Sequence, residues 1–342
     1  MNILALTFDE FCSEITQRYN KGRYHAAAVY REVMKNGNKE CDSLPEFAAQ
    51  PNLAHTINDN IHYPDCRIID IKKDIAVKFA TALHDGNIIE SVIIPVHNRT
   101  TLCVSSQAGC RMGCTFCMTA LNGFVRNLTA EEIVYQVFAA RFILKYPVDT
   151  IVFMGMGEPL DNVDNVVQAI RVLNDQRGLN IACNHITVST SGHIDGLKTL
   201  ASHSMRRLRL ALSINAPTDE LRTQLMPINK RYPLWTLIAY LGTYPLCRGG
   251  VFFLEYVLLA GINDSEAMAD KLAECIHDLP VRINVIIYNS NNALPYRPPA
   301  PEQVELFRKR LVAHKLFVRI RKSAGENIRA ACGQLRADMC AQ

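Results

Sequence analysis

No apolar run in the 342-residue sequence reaches about 18 residues, the minimum for a membrane-spanning helix. The best candidate, Gly250 to Ile262, has Glu255 near its centre and is typical of a buried strand. The N-terminus lacks the basic start of a secretory signal. Fixed-period repeats and low-complexity tracts are absent as well. We therefore expect a folded cytoplasmic protein without membrane attachment.

A large excess of charge of one sign is also missing. Lys and Arg total 37 against 33 Asp and Glu, a net charge of +4, which alone does not indicate a nucleic-acid partner. Positive charge is nevertheless concentrated in one segment. Between Arg308 and Arg336 there are nine Lys or Arg residues and one acid, Glu326, which gives a local charge of +8. Smaller basic clusters are Arg206, Arg207 and Arg209, and Lys230 with Arg231. Solvated helix faces explain part of this pattern, and phosphate binding is the alternative.

The N-terminal part of the chain predicts an accessory domain over residues 1–97. Up to about residue 65 the apolar spacing predicts short helices, including one over His25 to Met34. Alternating residues then predict two strands on either side of Asp85-Gly86, a strong hairpin signal.

From Thr101 onwards strands and helices alternate, which favours parallel β/α topology. Thr129 before Ala130, with Glu132 at the third helical position, predicts a capping box for a helix extending to Leu144. About six strand–helix units are too few for an eight-fold barrel, so residues 98–342 predict an α/β fold with a partial (β/α)6 barrel. The predicted strands are 101–107, 149–156, 185–191, 207–215, 250–259, 282–289 and 317–321.

Cysteine is abundant, with twelve residues. In a cytosol these thiols are reduced, so metal binding or catalysis explains them better than a disulfide framework. Three of them form Cys110-x3-Cys114-x2-Cys117, with Gly109 and Gly113 where a tight loop needs glycine. Three soft thiolates on one short loop suit an iron–sulfur cluster.

A four-iron cluster held by three cysteines keeps one iron open, and that iron can chelate the amino and carboxylate groups of S-adenosylmethionine (SAM). An electron passed through it can cleave the sulfonium and leave a 5′-deoxyadenosyl radical. A zinc site is one alternative, although zinc usually has a fourth Cys or His nearby and the next His is His185. Chance clustering in a cysteine-rich chain is the other.

Further motifs lie on both sides of this cysteine loop. They are Glu90-Ser-Val-Ile-Ile-Pro95, Thr101-Leu-Cys103-Val-Ser-Ser-Gln107, Gly123-Phe-Val-Arg-Asn-Leu128, Gly155-Met-Gly157-Glu158-Pro159-Leu160, Ser189-Thr-Ser-Gly192, Leu225-Met-Pro-Ile-Asn229, Tyr288-Asn289 and Ala331-Cys332-Gly-Gln-Leu335. Together they resemble the radical SAM superfamily, and specifically its RlmN/Cfr-type RNA methyltransferases, which methylate an adenine of large-subunit ribosomal RNA. The resemblance covers about residues 88–338, and Cys332, far from the cluster loop, is its most specific part.

This resemblance implies a role for each matching residue. Cys110, Cys114 and Cys117 would bind one [4Fe–4S] cluster. Cys332 would carry the methyl group, with Cys103 as the resolving thiol and Glu90 as the proton acceptor. The SAM contacts would be Gly157, Glu158, Ser189, Ser213, Ile214, Asn215 and Asn289. Each SAM contact lies at or just past the C-terminal end of a predicted strand, where barrels bind ligands.

By resemblance, Cys332 and Cys103 allow a methylation that SAM cannot perform directly. Adenine C2 and C8 are electron-poor, and the SAM methyl group is an electrophile, so direct displacement fails. By resemblance, the Cys332 thiolate first takes a methyl group from one SAM. A second SAM supplies the radical that removes a hydrogen from this S-methyl group, and the carbon radical adds to the base. Cys103 then releases the product by forming a transient Cys103–Cys332 disulfide, which a reductant reopens.

The expected substrate is 23S rRNA, with methylation at adenine C2 or C8 and with tRNA as a further open candidate. The accessory domain would select the RNA. Further expected partners are an electron donor such as flavodoxin and a thiol reductant, and we expect a monomer. Two alternatives are a radical SAM enzyme of the same architecture acting on a non-RNA substrate and a non-catalytic metal-bearing RNA-binding protein. Seven other cysteines have no spacing logic and are interpreted as structural: Cys12, Cys41, Cys66, Cys183, Cys247, Cys275 and Cys340.

Overall fold

The computed structural model describes residues 1–96, 99–291, 293–321, 325–330 and 333–335. The chain begins with helices α1 (Phe8–Tyr19), α2 (Arg23–Asn36) and α3 (Pro51–Asp59). Thr7 and Glu10 form a capping box that satisfies the free N–H groups at the start of α1. Apolar side chains one and two turns apart along α1 and α2 are buried against each other and the barrel.

Three strands follow: β1 (Arg67–Lys73), β2 (Val77–Ala82) and β3 (Ile88–Val96). β2 and β3 are antiparallel, with Ala82 opposite Ile88. The turn between them contains Gly86 in the left-handed region, at φ +80°. The hairpin predicted from Asp85-Gly86 is therefore confirmed.

The rest of the chain builds the barrel, and its elements alternate as the sequence predicts. They are β4 (Arg99–Cys103), β5 (Gln107–Gly109), α4 (Met118–Leu121), β6 (Phe124–Asn127), α5 (Ala130–Phe138), β7 (Thr150–Phe153), α6 (Val163–Asn174), β8 (Ile186–Thr190), α7 (Ile194–Ser202), β9 (Arg209–Ser213), α8 (Asp219–Leu225), α9 (Leu234–Thr243), β10 (Phe252–Leu258), α10 (Glu266–Cys275), β11 (Val281–Ile287), α11 (Pro301–Ala313) and β12 (Val318–Arg321).

The main sheet has the order β1-β2-β3-β4-β7-β8-β9-β10-β11-β12. Every pairing from β4 to β12 is parallel, and the pairings among β1 to β4 are antiparallel. Helices cover the outer face of the parallel part, so its strands are rich in buried Ile, Leu, Val and Phe. Six strand–helix units closed by β12 confirm the predicted partial (β/α)6 barrel. The antiparallel strands extend the same sheet through the β3–β4 pairing.

Two local differences from the sequence expectations are instructive. The strand predicted over 101–107 ends at Cys103, and Gln107–Gly109 pairs instead with β6 in a separate two-stranded sheet. Gly109 at φ +78° ends this strand, and a Cβ there would lie 2.0 Å from the Gly123 carbonyl oxygen. The helix predicted to reach Leu144 is α-helical only to Phe138 and continues as a π turn over Ala139–Ile143. Within the described parts of the chain, no helix is both long enough and apolar enough to cross a bilayer.

Candidate active site

A cavity opens at the carboxyl ends of the parallel strands. Its volume is about 1120 Å³ when the solvent-open space at its mouth is included. The ends of β7, β8, β9, β10 and β11 contribute to its walls, and the loop after β5 covers one side. Barrels bind their ligands at this end of the strands. Of the residues implicated by resemblance, the cavity is lined by Cys110, Cys114, Cys117, Gly157, Glu158, Ser189, Ser213, Asn215 and Asn289.

The cysteine loop is held against the barrel by backbone hydrogen bonds. Cys110 N donates to Gly123 O at 2.7 Å, and Thr115 N donates to Leu225 O at 3.0 Å. Tyr296 donates its hydroxyl hydrogen to Thr115 Oγ1 at 2.6 Å. These contacts keep the loop in one conformation over the cavity.

The donor set fits an iron–sulfur cluster. Cys110, Cys114 and Cys117 carry free thiols that line one cavity. Burial raises the pKa of Cys110 to about 12 and raises that of Cys114 well above its ordinary value. Such thiols ionise only when cationic metal neutralises them, as in metal centres generally. No group of three or more His, Cys, Asp or Glu in the described ranges is arranged to hold one metal ion.

Glu158 is a buried acid that several hydrogen bonds hold at the cavity wall. Its carboxylate accepts hydrogen bonds from Ser191 N and Ser191 Oγ, both at 2.7 Å, and from Leu160 N at 3.0 Å. Burial raises the pKa of this carboxyl, while these hydrogen bonds act in the opposite direction. The carboxylate is therefore held in place, ready to accept hydrogen bonds from a cation such as an ammonium group.

Gly157 precedes Glu158 at φ +101°. A Cβ at this position would lie 2.6 Å from Gln107 Cβ, closer than any allowed contact. The Glu158 N–H meanwhile donates to Gln107 Oε1 at 2.8 Å. Glycine is therefore required for the backbone to pass so near Gln107 and present Glu158 to the cavity.

The residues from Ser213 to Asn215 differ in how they face the cavity. Ser213 and Asn215 line it, whereas Ile214 is fully buried and is not among the lining residues. Asn215 adopts the left-handed conformation, at φ +57°. Its amide oxygen accepts a hydrogen bond from Val257 N at 2.8 Å, so the side chain also fixes the strand end of β10.

Arg222 is a buried cation beneath these strand ends that the sequence expectations missed. It is 0% exposed and donates to the carbonyls of Ser191 (2.6 Å) and Ser213 (3.3 Å), and to Asn229 Oδ1 (2.7 Å). Burial lowers the pKa of its guanidinium to about 10. In the sequence it resembles an ordinary helical surface charge, and only its proximity to Leu225-Met-Pro-Ile-Asn229 could have drawn attention to it.

Glu90 and Cys103 lie on one face of the sheet. Cys103 is opposite Val92 in the antiparallel pairing of β3 with β4, and Glu90 is two residues before Val92. Opposite residues, and residues two apart on one strand, point to the same face. Glu90 is buried and forms an ion pair with Lys78, with 2.8 Å between Nζ and Oε1.

This face continues towards the cavity. Cys103 is opposite Val152 on β7, and Met154, two residues further, lines the cavity. Cys103 is 6% exposed. Neither Glu90 nor Cys103 is itself among the cavity-lining residues.

Cys332 lies outside the described residues, but the residues that follow it are anchored at the cavity. Gly333 O accepts a hydrogen bond from Met118 N at 2.8 Å, directly after the last cysteine of the loop. Leu335 O accepts one from Thr119 Oγ1 at 2.7 Å. Gly333 and Leu335 both line the cavity, together with Gln334.

The basic clusters are not equivalent. Arg308 and Arg310 pair with Glu305 and Asp270, each at 2.6 Å, which offsets part of the C-terminal excess. The exposed Arg206, Arg207 and Arg209 lie at the start of β9, at the end of the strand opposite to the cavity. The exposed Lys230 and Arg231 instead follow Pro227, whose ring would lie 3.6 Å from a Cβ added at Gly113 of the cysteine loop, and Arg231 pairs with Asp195 at 2.9 Å.

Comparison with known proteins places this arrangement in a family. Residues 104–273 match the Radical SAM superfamily. A protein of Desulfotalea psychrophila named dual-specificity RNA methyltransferase RlmN is 42% identical over 339 residues, covering 96% of this chain and 92% of that protein. The chain belongs to the RlmN family. Another RlmN, from Anaeromyxobacter sp. strain Fw109-5, is 45% identical over 323 residues, covering 92% of this chain and 85% of that protein.

A solved structure agrees with this RlmN assignment. The crystal structure of a radical SAM methyltransferase from Sphaerobacter thermophilus matches with a TM-score of 0.91 and 34% identity, covering 99% of this chain and 100% of that one. The RlmN-family chain is therefore a radical SAM methyltransferase in sequence and in fold. Membership of the superfamily implies SAM and a [4Fe–4S] cluster as cofactors.

Proposed function

We propose that this enzyme methylates an adenine carbon, C2 or C8, of 23S rRNA through a methyl group carried on Cys332. The observation that carries the proposal is the meeting, at one cavity, of the cysteine loop and the C-terminal segment. Met118, next to Cys117, donates to Gly333, next to Cys332. Two sulfur-bearing motifs more than two hundred residues apart in the sequence are thus joined directly by a backbone hydrogen bond.

We propose that Cys110, Cys114 and Cys117 bind the cluster. When bound, the cluster supplies the electron that cleaves SAM and generates the 5′-deoxyadenosyl radical. The Glu158 carboxylate accepts a hydrogen bond from the SAM ammonium group, and Gly157, which has no side chain, leaves space for that group. The carboxylate, ribose and adenine of SAM are contacted by Ser189, Ser213, Asn215 and Asn289, while Ile214 holds the backbone between Ser213 and Asn215 through its hydrogen bond to Glu255 O.

The methyl transfer uses two SAM molecules per turnover. The Cys332 thiolate attacks the methyl carbon of the first SAM, the sulfonium–methyl bond breaks, and S-adenosylhomocysteine leaves. The second SAM yields the radical that abstracts a hydrogen atom from the S-methyl group, and the new carbon radical bonds to the adenine carbon. Glu90 accepts the ring proton. The adduct would give up its surplus electron to an acceptor, a role that a cluster held by Cys110, Cys114 and Cys117 could supply.

Product release uses the second cysteine. The Cys103 thiolate attacks the Cys332 sulfur, the sulfur–carbon bond to the methylated base breaks, and the carbon takes a proton. This leaves a Cys103–Cys332 disulfide, which a thiol reductant reopens by accepting the oxidising equivalents. The position of Cys103 on the face shared with Glu90 and Met154 supports this pairing.

The target base must leave its stack to enter the cavity, which costs a few kcal/mol and least for a base in a loop. The exposed Lys230 supplies positive charge for the RNA backbone, whereas Arg231 is already paired with Asp195 at 2.9 Å. We propose that residues 1–97 select the RNA, that tRNA is a second substrate, and that flavodoxin or a similar donor delivers electrons to a monomeric, cytoplasmic enzyme. The name of the RlmN relatives, dual-specificity RNA methyltransferase, supports RNA as the substrate class.

The test is anaerobic reaction of cluster-loaded enzyme with SAM, a reductant and 23S rRNA fragments, followed by digestion and mass spectrometry of the nucleosides. Methylated adenosine is expected, and its fragmentation and retention time separate C2 from C8. A Cys103→Ala variant should accumulate a covalent protein–RNA adduct, and a Cys247→Ala variant should not. Free methylated RNA produced by Cys103→Ala at the normal rate would contradict the release step. Methylation of a peptide or small molecule, with none on RNA, would favour the non-RNA alternative.

A further inference from the structure

The C-terminal segment ahead of Cys332, residues 325–330, contacts β2 and the turn between β1 and β2. Residues 325–330 form a compact turn in which Ala330 N donates to Gly325 O at 2.9 Å. Gly325, at φ +78°, packs so closely that an added Cβ would lie 2.9 Å from Ala330 Cβ and 3.2 Å from Ala76 Cβ. Asn327 donates to Asp74 Oδ2 at 3.1 Å.

One side chain links this turn to the centre of the sheet. Lys78 Nζ donates to Arg329 O at 3.2 Å and pairs with Glu90 Oε1 at 2.8 Å. The Lys78 and Glu90 side chains are only 7% and 8% exposed, so both charges are withdrawn from water. A buried charge pair is costly unless its geometry and its further hydrogen bonds are good, and here the Arg329 carbonyl supplies such a bond.

The register places this pair in line with the candidate resolving thiol. Lys78 is opposite Val92 on β3, and Val92 is opposite Cys103 on β4. Lys78, Glu90 and Cys103 therefore point to one face of the sheet, and the Arg329 carbonyl lies on that same face. Arg329 is three residues ahead of Cys332 in the sequence.

We propose that Lys78 is a positioning residue that couples Glu90, the proposed proton acceptor, to residues 325–330, the segment that leads to the proposed methyl carrier. This inference rests on the proposed function of Glu90 and Cys332. Lys78 is not among the residues that line the cavity, so it acts through Glu90 and through the Arg329 carbonyl. The sequence conceals it, because a Lys in an alternating strand resembles a solvent-facing residue.

The experiment compares Lys78→Met, Lys78→Arg and Lys72→Met in the cluster-loaded full-length enzyme. Lys72 is the matched control, because it is opposite Lys78 on β1 and its side chain is 54% exposed. The first readout is the rate of tryptic cleavage after Arg329, followed by mass spectrometry. The second is the single-turnover rate of RNA methylation, measured separately from the KM for RNA.

Lys78→Met should leave the iron content and the KM for RNA unchanged. It should raise the rate of cleavage after Arg329 about tenfold and lower the methylation rate by a similar factor, because one charge-assisted hydrogen bond is lost. Lys78→Arg should recover most of both effects, since a guanidinium also donates to a carbonyl and a carboxylate. Lys72→Met should match the wild type. Cleavage and methylation at wild-type rates in Lys78→Met overturn the inference, and so does slower methylation without faster cleavage.

If Lys78→Met does not fold, the double variant Lys78→Met/Glu90→Leu replaces the ion pair with apolar side chains, a change that buried pairs often tolerate. It still lacks the contact to Arg329, so cleavage there should remain fast, and cleavage at the wild-type rate overturns the coupling. The cleavage assay needs no RNA. A wild-type enzyme that methylates no RNA refutes the proposed function, whereas unchanged cleavage refutes only the role of Lys78.

Discussion

The Glu158 carboxylate offers the sharpest test of the cofactor site. In a Glu158→Gln variant the amide keeps the size of the side chain but loses the negative charge. Its oxygen can still accept from Ser191 N and Oγ, as the carboxylate oxygen does at 2.7 Å. Its NH2 group then faces the Leu160 N–H, which loses the acceptor that it has at 3.0 Å.

Two magnitudes follow from this geometry. Leaving the buried Leu160 N–H without an acceptor lowers the free energy of unfolding by about 1–3 kcal/mol. Losing one charge-assisted contact to the SAM ammonium group weakens SAM binding by about 10- to 100-fold. The fold and the iron content should be unchanged, because Glu158 is not a proposed cluster ligand.

Calorimetric titration of SAM into anaerobic, cluster-loaded protein measures the second effect, and urea unfolding measures the first. Glu274→Gln is the control, since Glu274 is exposed on α10. The pH dependence gives an independent check. Burial raises the pKa of Glu158, so the wild type should gain stability relative to Glu158→Gln as the pH falls through this raised value towards the ordinary range. SAM affinity equal to that of the wild type in Glu158→Gln would refute the reasoning.

Three further predictions concern the glycine cradle, the cluster loop and the hairpin. Gly157→Ala places a Cβ 2.6 Å from Gln107 Cβ at φ +101°, so the free energy of unfolding should fall by about 1–3 kcal/mol in urea titrations; an unchanged midpoint would contradict this. Cys114→Ser should lose most of the bound iron and the visible absorbance of anaerobically reconstituted protein, and full iron content would exclude Cys114 as a ligand. The Arg126 hydrogen bond lowers the pKa of Asp85. The wild type should therefore have a larger free energy of unfolding than Asp85→Asn at neutral pH, and this difference should vanish as acid protonates Asp85. A difference that does not change with pH would contradict the prediction.

The barrel and the cysteine loop are predictable from the sequence because their signals are local. Strand–helix alternation, the Asp85-Gly86 turn and the Cys110 to Cys117 spacing each depend on neighbouring residues. Their boundaries are less predictable, as the end of β4 at Cys103 shows. The backbone turns away there to form the two-stranded β5–β6 sheet, whose partner lies about twenty residues further along the chain.

The missed residues share one property, which is that their partners are distant in sequence. Arg222 and Lys78 each look like a surface charge, since nothing adjacent to them reveals burial. Arg222 becomes a buried cation only when the carbonyls of Ser191 and Ser213 surround it. Lys78 donates a hydrogen bond to Arg329 O, which is 251 residues away in the sequence. Such contacts depend on the tertiary fold, and the hydrophobic periodicity of the sequence does not indicate them.

The most direct test of the whole account is a two-step isotope experiment on the methyl carrier. The enzyme is first incubated with SAM bearing a deuterated methyl group, without RNA, and the peptide containing Cys332 is weighed by mass spectrometry. Unlabelled SAM, a reductant and 23S rRNA fragments are then added after the free label is removed. The account predicts a deuterated methyl on Cys332 in the first step and the same carbon, carrying two of its deuterium atoms, on adenine in the second. An unmodified Cys332 peptide, or an adenine methyl derived only from the unlabelled SAM in the first turnover, would contradict it.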